Sequence, residues 1–225
     1  MKLTDFSALT FDCYGTLIDW DGGITSAFRD AALTDGLDLD GDRVLAAYHA
    51  VEPTVQTEEY RSYRDVLADT AMRCAERLDW LLPSDRSGFL AESLGSWTPF
   101  TDTNKALERL HGLGYRLGIL SNIDDDLFAA TTRHFTVEFD LVITAQQVRS
   151  YKPAHGHFEA ARQGVSGRRW LHAAQSYYHD VVPARTLDIP VVWINRRGDP
   201  PLGKTVPNAE VDSLDGLVEW LSSRE

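Results

Sequence analysis

Residues 7–16 read SALTFDCYGT, and this stretch decides the fold. The apolar run from Ala8 to Phe11 is typical of a buried strand, and the carboxylate of Asp12 follows directly at its end. In a parallel sheet, the residues that follow the strand ends are the ones that reach the functional cleft. We therefore expect Asp12 to have a chemical role rather than a structural one.

Four further apolar runs have the length and composition of buried strands. They read YRLGILS (115–121), FDLVITA (139–145), RWLHAAQ (169–175) and IPVVWIN (189–195). Between most of them the apolar residues recur at a helical period, as in 106–113 and 214–221. Alternating strands and helices predict an α/β protein with a Rossmann-like parallel-sheet core.

One long segment interrupts this alternation. From residue 20 to residue 95 the chain shows helical patterns and turn residues and no strand pattern. We expect a helical cap, inserted after the first strand, that acts as a lid over the strand ends. The predicted domains are a core formed by residues 1–19 and 96–225 and a cap formed by residues 20–95.

Composition excludes several classes of partner. The 225 residues carry a net charge of −12, which disfavours nucleic acid and anionic membranes as partners. We expect a small anionic substrate, drawn by a local group of basic residues. The two cysteines, Cys13 and Cys74, have no metal-ligand spacing and are interpreted as reduced thiols of a cytoplasmic protein. The start, MKLTDFSALTF, lacks the apolar core of a signal peptide.

Four motifs follow four of the predicted strands in order: FDCYGT, GILSNIDDD, SYKPAHGHF and AQSYYHDVVPA. Their order and positions resemble the haloacid dehalogenase superfamily, and the helical insert resembles its smaller type of cap. The resemblance covers the whole chain and implies a hydrolase whose nucleophile is Asp12.

The remaining polar residues of the motifs suit that chemistry. Lys152 is expected to keep Asp12 ionised and to lower its pKa, and Asp180 is expected to pair with Lys152. The hydroxyls of Thr16 and Ser121 can hold an anionic substrate. Asn122 is expected to orient a water molecule or the leaving group.

Tyr14 separates two branches of the superfamily. In the phosphatase branch this position is a second aspartate that protonates the leaving oxygen, and two acids of the fourth motif hold Mg²⁺. Here those two acid positions are Gln175 and Asp180. A halide leaves without a proton or a metal, so the chain resembles the 2-haloacid dehalogenase branch with no cofactor. A magnesium-dependent phosphatase and a catalytically inactive binding protein remain the alternatives.

Some positions depart from the dehalogenase branch. Its early cap arginine is replaced by His49, its tyrosine after the lysine by Phe158, and its fourth-motif serine and asparagine by Gln175 and Tyr177. The substrate carboxylate must then be bound elsewhere, and Arg61 and Arg64 are the candidates. The residues expected to contact substrate are Tyr14, Cys13, Trp20, His49, Arg61 and Ser176.

Three smaller predictions complete the set. His179 is expected to activate the water that cleaves the ester, because an unperturbed imidazole titrates near neutral pH. His155 and His157 lack a third ligand, so no metal site is predicted. Residues 124–126, DDD, are interpreted as a solvated helix start. Whether the chain forms a homodimer is left open.

Overall fold

A computed structural model describes residues 6–56, 59–165, 167 and 169–223. Residues 1–5, on which the signal-peptide prediction partly rests, lie outside this set. The chain divides into two compact units. The sheet unit consists of Met1–Ile18, Pro99–Asn122 and His134–Glu225, and the helical unit consists of Asp19–Thr98 and Ile123–Arg133.

In the described part of the chain, the sheet unit is built on six parallel strands. In chain order they are β1 (Ala8–Phe11), β2 (Arg116–Ser121), β3 (Leu141–Thr144), β4 (Trp170–Ala174), β5 (Val191–Ile194) and β6 (Ala209–Val211). Their order across the sheet is β3-β2-β1-β4-β5-β6, with β1 between β2 and β4. All four residues of β1 are buried, as expected of a central parallel strand covered on both faces. The predicted α/β class with a parallel sheet is confirmed.

Helices of the sheet unit connect these strands. They are α5 (Thr103–Gly112), α7 (Ala145–Val148), α8 (Gly156–Gly164), α9 (Val182–Thr186) and α10 (Leu214–Ser222), with a π-helical turn at Tyr177–Val181. Apolar side chains of α8 and of the central strands form one core, which includes Phe158, Leu120 and Trp193. This core fixes the strand ends from which the polar side chains project.

The helical unit contains α1 (Trp20–Leu33), α2 (Gly41–Gln56), α3 (Tyr63–Arg77), α4 (Phe89–Ser93) and α6 (Asp125–Thr132). Sequence signals explain the starts of two of them, because Asp19 accepts a hydrogen bond from the backbone N–H of Gly22, and Ser62 accepts one from Asp65. The interpretation of residues 20–95 as a cap over the strand ends stays a prediction.

The three aspartates at the start of α6 are not all solvated. Asp124 is buried, and its carboxylate accepts hydrogen bonds from the backbone N–H groups of Tyr63 (3.0 Å) and Arg64 (2.9 Å) at the start of α3. Only Asp125 and Asp126 are exposed, as predicted. Asp124 was interpreted wrongly because its partners lie about 60 residues away in the chain, beyond the reach of a local pattern.

Within the described ranges, no helix combines the length and the apolar composition needed to cross a membrane.

Candidate active site

Asp12 follows β1, and its carboxylate is held at both oxygens. Oδ1 accepts a hydrogen bond from Nζ of Lys152 at 2.9 Å, and Oδ2 accepts one from the hydroxyl of Thr16 at 2.8 Å. Gly15, at φ 88°, permits the tight turn that brings Thr16 back to Asp12. The Thr16 hydroxyl in turn accepts the backbone N–H of Gln175 at 2.9 Å, which joins the first and fourth motifs.

Lys152 is fully enclosed, and each of its three N–H donors has an acceptor. Besides Asp12, Nζ donates to Oδ1 of Asp180 at 2.6 Å and to the backbone oxygen of Leu120 at 2.8 Å. Only 1% of the Lys152 side chain is exposed, so the three acceptors replace its hydration completely. The expected pairing of Lys152 with Asp180 is confirmed.

Burial governs the protonation of this cluster. Burial raises the pKa of the Asp12 carboxyl, and the nearby Lys152 ammonium only partly offsets that increase. Lys152 lowers the pKa of Asp12, as expected, but the loss of water outweighs this attraction, so the net shift of the pKa is upward. Burial lowers the pKa of Lys152, but the two carboxylates outweigh it and raise the pKa above its usual value.

Asp180 is the more acidic of the two carboxyl groups. Burial raises its pKa, but the charge of Lys152 and a hydrogen bond from His172 outweigh burial and lower the pKa to about 2. Oδ1 of Asp180 accepts both contacts, since Nε2 of His172 lies 3.0 Å from it. Oδ2 is buried and has no hydrogen-bond partner within the described part of the chain.

Ser121 is the last residue of β2 and Asn122 follows it, and their side chains make different contacts. The Ser121 hydroxyl is buried and makes no hydrogen bond among the described residues, so its capacity is available to a ligand. The Asn122 amide donates to the backbone oxygen of Lys152 (3.1 Å) and accepts from its N–H (2.7 Å). This reciprocal pair fixes the backbone of Lys152 to the end of β2.

The fourth motif forms the π-helical turn after β4. The Ser176 hydroxyl accepts the backbone N–H of His179 at 3.1 Å and lies at the same distance from its Nδ1. Burial lowers the pKa of His179 to about 4, so its imidazole is neutral at pH 7 and the expectation that it titrates near neutral pH is wrong. The Tyr177 hydroxyl donates to the backbone oxygen of Thr205, and this hydrogen bond connects the π-helical turn to the loop that contains Thr205.

Tyr14 and Cys13 lie in the turn that follows β1. Tyr14 is half-buried and pairs in a backbone bridge with Ile18. The Cys13 side chain is fully buried, and burial together with the charge of Asp12 raises the pKa of its thiol well above the usual value. The expected substrate contacts of Tyr14, Cys13 and Ser176 stay predictions.

The other expected substrate residues belong to the helical unit. The Trp20 ring contacts the ring of His49, whose Nε2 lies 3.4 Å from a carboxylate oxygen of Asp21. Arg61 donates to Asp69 at 2.6 Å, and Arg64 pairs at the same distance with an exposed aspartate of α6, Asp126. Both candidate carboxylate-binding arginines are therefore in ion pairs, and their contact with substrate stays a prediction.

Sequence reasoning missed His172 and Arg196 near the cluster, and it considered His157 only as a metal ligand. His172 contacts Asp180, and His157 donates to the backbone oxygen of Ser121 at 3.0 Å. Arg196 donates to the backbone oxygen of Thr16 at 2.9 Å. It also forms a bidentate salt bridge with the carboxylate of Asp102. The available signals were a histidine inside an apolar strand run and an arginine just after the fifth strand.

Comparison with known proteins places this geometry in a family. A profile described as haloacid dehalogenase-like hydrolase matches residues 6–173. The chain is 27% identical to (S)-2-haloacid dehalogenase 4A of Burkholderia cepacia, with 96% of this chain and 94% of the relative covered. It is 26% identical to glyceraldehyde 3-phosphate phosphatase of Methanothermobacter thermautotrophicus, with 84% of this chain and 85% of that relative covered.

Solved structures agree with these sequence matches. The crystal structure of an L-2-haloacid dehalogenase, RSc1362, superimposes with a TM-score of 0.85 at 22% identity and covers 97% of this chain and 99% of its own. At that identity the match establishes the fold. Together with the profile match and the four motifs in order, it shows that the chain belongs to the haloacid dehalogenase-like hydrolase family.

Proposed function

We propose that this protein hydrolyses the carbon–halogen bond of small 2-haloacids through an ester on Asp12. The observation that carries the proposal is the Asp12 carboxylate, which Lys152 and Thr16 hold at its two oxygens while Tyr14 occupies the position of the second phosphatase acid. A relative that covers nearly the whole chain is named as an (S)-2-haloacid dehalogenase, which supports the same reaction.

The reaction has two balanced steps. In the first, a carboxylate oxygen of Asp12 attacks C2 of the substrate, a C–O bond forms, and the C–X bond breaks to release halide. In the second, water adds to the ester carbonyl of Asp12, the 2-hydroxy acid leaves, and the carboxylate is restored with the release of one proton. Enclosure of Asp12 removes the hydration that would weaken an attacking carboxylate.

Each supporting side chain has a role that follows from its contacts. The ammonium of Lys152 keeps the Asp12 carboxylate oriented and balances its charge. The Ser121 hydroxyl, which is buried without a hydrogen-bond partner among the described residues, is available to the substrate carboxylate. His179 is the proposed base for the water, because its imidazole is neutral at pH 7, whereas Oδ1 of the neighbouring Asp180 is occupied by Lys152 and His172.

Magnesium does not fit this set of donors. The part of the chain that the structure describes contains no group of three His, Cys, Asp or Glu side chains that could hold a metal ion. Oδ1 of Asp180 is occupied by Lys152 and His172, and the other family acid position is Gln175. We therefore propose a cofactor-independent reaction. The two free, buried thiols agree with the proposed cytoplasmic location.

A parallel assay of halide and phosphate release tests the proposal. Wild-type protein and the Asp12→Asn variant are compared on 2-chloropropionate and on small phosphate esters, with and without EDTA. We expect halide release that EDTA does not change, and a loss of at least about 10³-fold in Asp12→Asn, since an amide cannot form the ester.

The control is Asp215→Asn, an exposed aspartate of α10, which should keep wild-type activity. Intact mass confirms that the amide at position 12 has not reverted to Asp. Phosphate release that EDTA abolishes would replace the proposal with the phosphatase alternative. Absence of turnover on both substrate classes would favour an inactive binding protein.

A further inference from the structure

His172 is a histidine in the middle of a central, fully buried strand. It lies on β4, directly beside Thr10 of β1 in the parallel register, and its side chain is 0% exposed. The ring packs edge-on against Phe158, with the centroids 5.4 Å apart. A polar ring in such a place needs a partner for each nitrogen, and the structure provides both.

Hydrogen-bond accounting fixes which nitrogen carries the proton. Nε1 of Trp170 lies 2.6 Å from the hydroxyl oxygen of Thr10, and an indole N–H can only donate, so this oxygen accepts. This oxygen could accept a second bond, but the described residues offer the Thr10 hydroxyl proton no acceptor other than Nδ1 of His172, 2.9 Å away, so the hydroxyl donates to Nδ1. Nδ1 is thereby an acceptor, and the ring proton is on Nε2.

The Nε2 proton points to the catalytic cluster. Nε2 lies 3.0 Å from Oδ1 of Asp180, the same oxygen that accepts from Lys152 at 2.6 Å. A neutral imidazole donor steadies this carboxylate without adding a second positive charge beside the lysine. Lys152 in turn donates one hydrogen bond to Asp12. A continuous series of hydrogen bonds therefore connects His172 in β4 to the nucleophile.

We propose that His172 is a positioning residue, fixed as its Nε2–H tautomer by Thr10 and Trp170, that orients Asp180 and through it the Lys152 ammonium on Asp12. The proposal rests on the proposed function insofar as it concerns catalysis. The role of His172 therefore goes beyond packing. A leucine at position 172 would fill a similar volume but could not donate a hydrogen bond to Asp180.

Loss of the His172 donor should change both rate and pH dependence. The groups that face Asp180 are Lys152, Asp12, His172, His157 and His179. Without His172 the Asp180 carboxylate keeps one donor, so it binds a proton more readily at low pH. We expect His172→Leu to lower kcat by roughly 10- to 100-fold, the range for a hydrogen bond to a charged group, and to move the acid limb of the kcat profile to higher pH.

Rescue separates positioning from packing. His172→Gln places an amide N–H where Nε2 lies, so it should recover most of kcat and the wild-type acid limb, whereas KM should change little in either variant. Thr70→Val, which also alters a buried polar side chain but in α3, is the control and should keep the wild-type profile. A His172→Leu enzyme with the wild-type kcat and pH profile would overturn the proposal.

A second measurement does not depend on turnover or on the leucine variant folding. Long-range ¹H–¹⁵N NMR spectra of wild type and Thr10→Val report which ring nitrogen of His172 carries the proton. We expect the Nε2–H pattern in both proteins, since Asp180 still accepts from Nε2, and a shift of the Nδ1 resonance in Thr10→Val, where that nitrogen loses its donor. An Nδ1–H pattern in wild type would overturn the inference even in an active enzyme. A protein that releases no halide would contradict the proposed function, while the tautomer would still decide this assignment.

Discussion

Glu52 is an acid in the interior of the helical unit. It lies in α2 and is 3% exposed, and its Oε1 accepts a hydrogen bond from the side chain of Gln56 one turn later. Burial raises its pKa from 4.5 to about 7. Among the described residues Glu52 forms no salt bridge, so its charged form is the unfavourable one in the folded protein.

The raised pKa gives Glu52 a predictable effect on stability. Below pH 4.5 the group is protonated in both the folded and the unfolded chain, and its contribution is fully present. Between pH 4.5 and pH 7 the folded chain holds the proton more tightly, so stability falls by up to about 3 kcal/mol and then stays constant. Glu52→Gln should therefore be more stable than wild type at pH 8 and similar to it near pH 4.5.

Urea unfolding followed by circular dichroism at the two pH values measures this difference. Glu76→Gln, an exposed glutamate of α3, is the matched control and should not alter the pH dependence. Equal stability differences between Glu52→Gln and wild type at both pH values would show that this carboxyl group is not responsible.

The residues of the site were predictable to different degrees. Asp12 directly follows β1, and Lys152 lies in the motif beyond β3 and α7, so the order of the motifs and the family resemblance indicated their proximity. His172 and Arg196 were missed because their partners are set by sheet register and by loops far along the chain. The direction of the pKa shift at Asp12 was also beyond the sequence, since it depends on how completely water is excluded.

At the scale of elements, the residue that precedes α6 caps the start of another helix, α3. Asp124, just before its first residue, accepts two backbone N–H groups at the start of α3, and these donors would otherwise be unpaired in a helix terminus. The carboxylate also lies at the positive end of the α3 dipole, where a negative charge is favourable. This one side chain therefore connects two helices whose sequences are far apart.

Asp124→Ala should destabilise the protein by about 1–2 kcal/mol, because it removes a buried cap and leaves two donors without acceptors. Thermal unfolding compared with wild type measures the change. Asp125→Ala, at the neighbouring exposed position, is the control and should alter stability by less than about 0.5 kcal/mol. Similar losses in the two variants would mean that the buried contacts of Asp124 contribute no more than a general charge effect.

Most elements could be predicted from the sequence, because a strand buried on both faces is a short apolar run between turn signals. All five predicted strands are present. β6 was missed because its three residues, Ala209–Val211, lie at the edge of the sheet and do not form an apolar run. The membership of α6 in the helical unit was not predictable either, since it depends on contacts distant in sequence.

At the scale of the whole molecule, we expect the sheet unit to set the chemistry and the helical unit to set substrate choice. Arg61 and Arg64 are both in ion pairs, but their partners differ, because Asp69 also binds Arg73 whereas Asp126 is exposed. Replacing Arg61 or Arg64 with alanine should change the relative kcat/KM values among 2-haloacids of different chain length by about 10-fold or more.

Competition assays with two haloacids in one solution measure these ratios directly. Arg29→Ala, an exposed arginine of α1 with a weak ion pair, is the control and should keep the wild-type ratio. If Arg61→Ala and Arg64→Ala both leave the ratio unchanged, neither arginine contributes to substrate selection.

The division of the chain also bears on how such proteins can be recombined. The helical unit takes Asp19–Thr98 from one part of the chain and Ile123–Arg133 from another. Exchanging only the first segment with a relative would leave the native α6 facing foreign helices and would replace the helix start whose backbone N–H groups Asp124 binds. A chimera of this protein, whether arising by gene exchange or by engineering, must therefore transfer two separate pieces of coding sequence together.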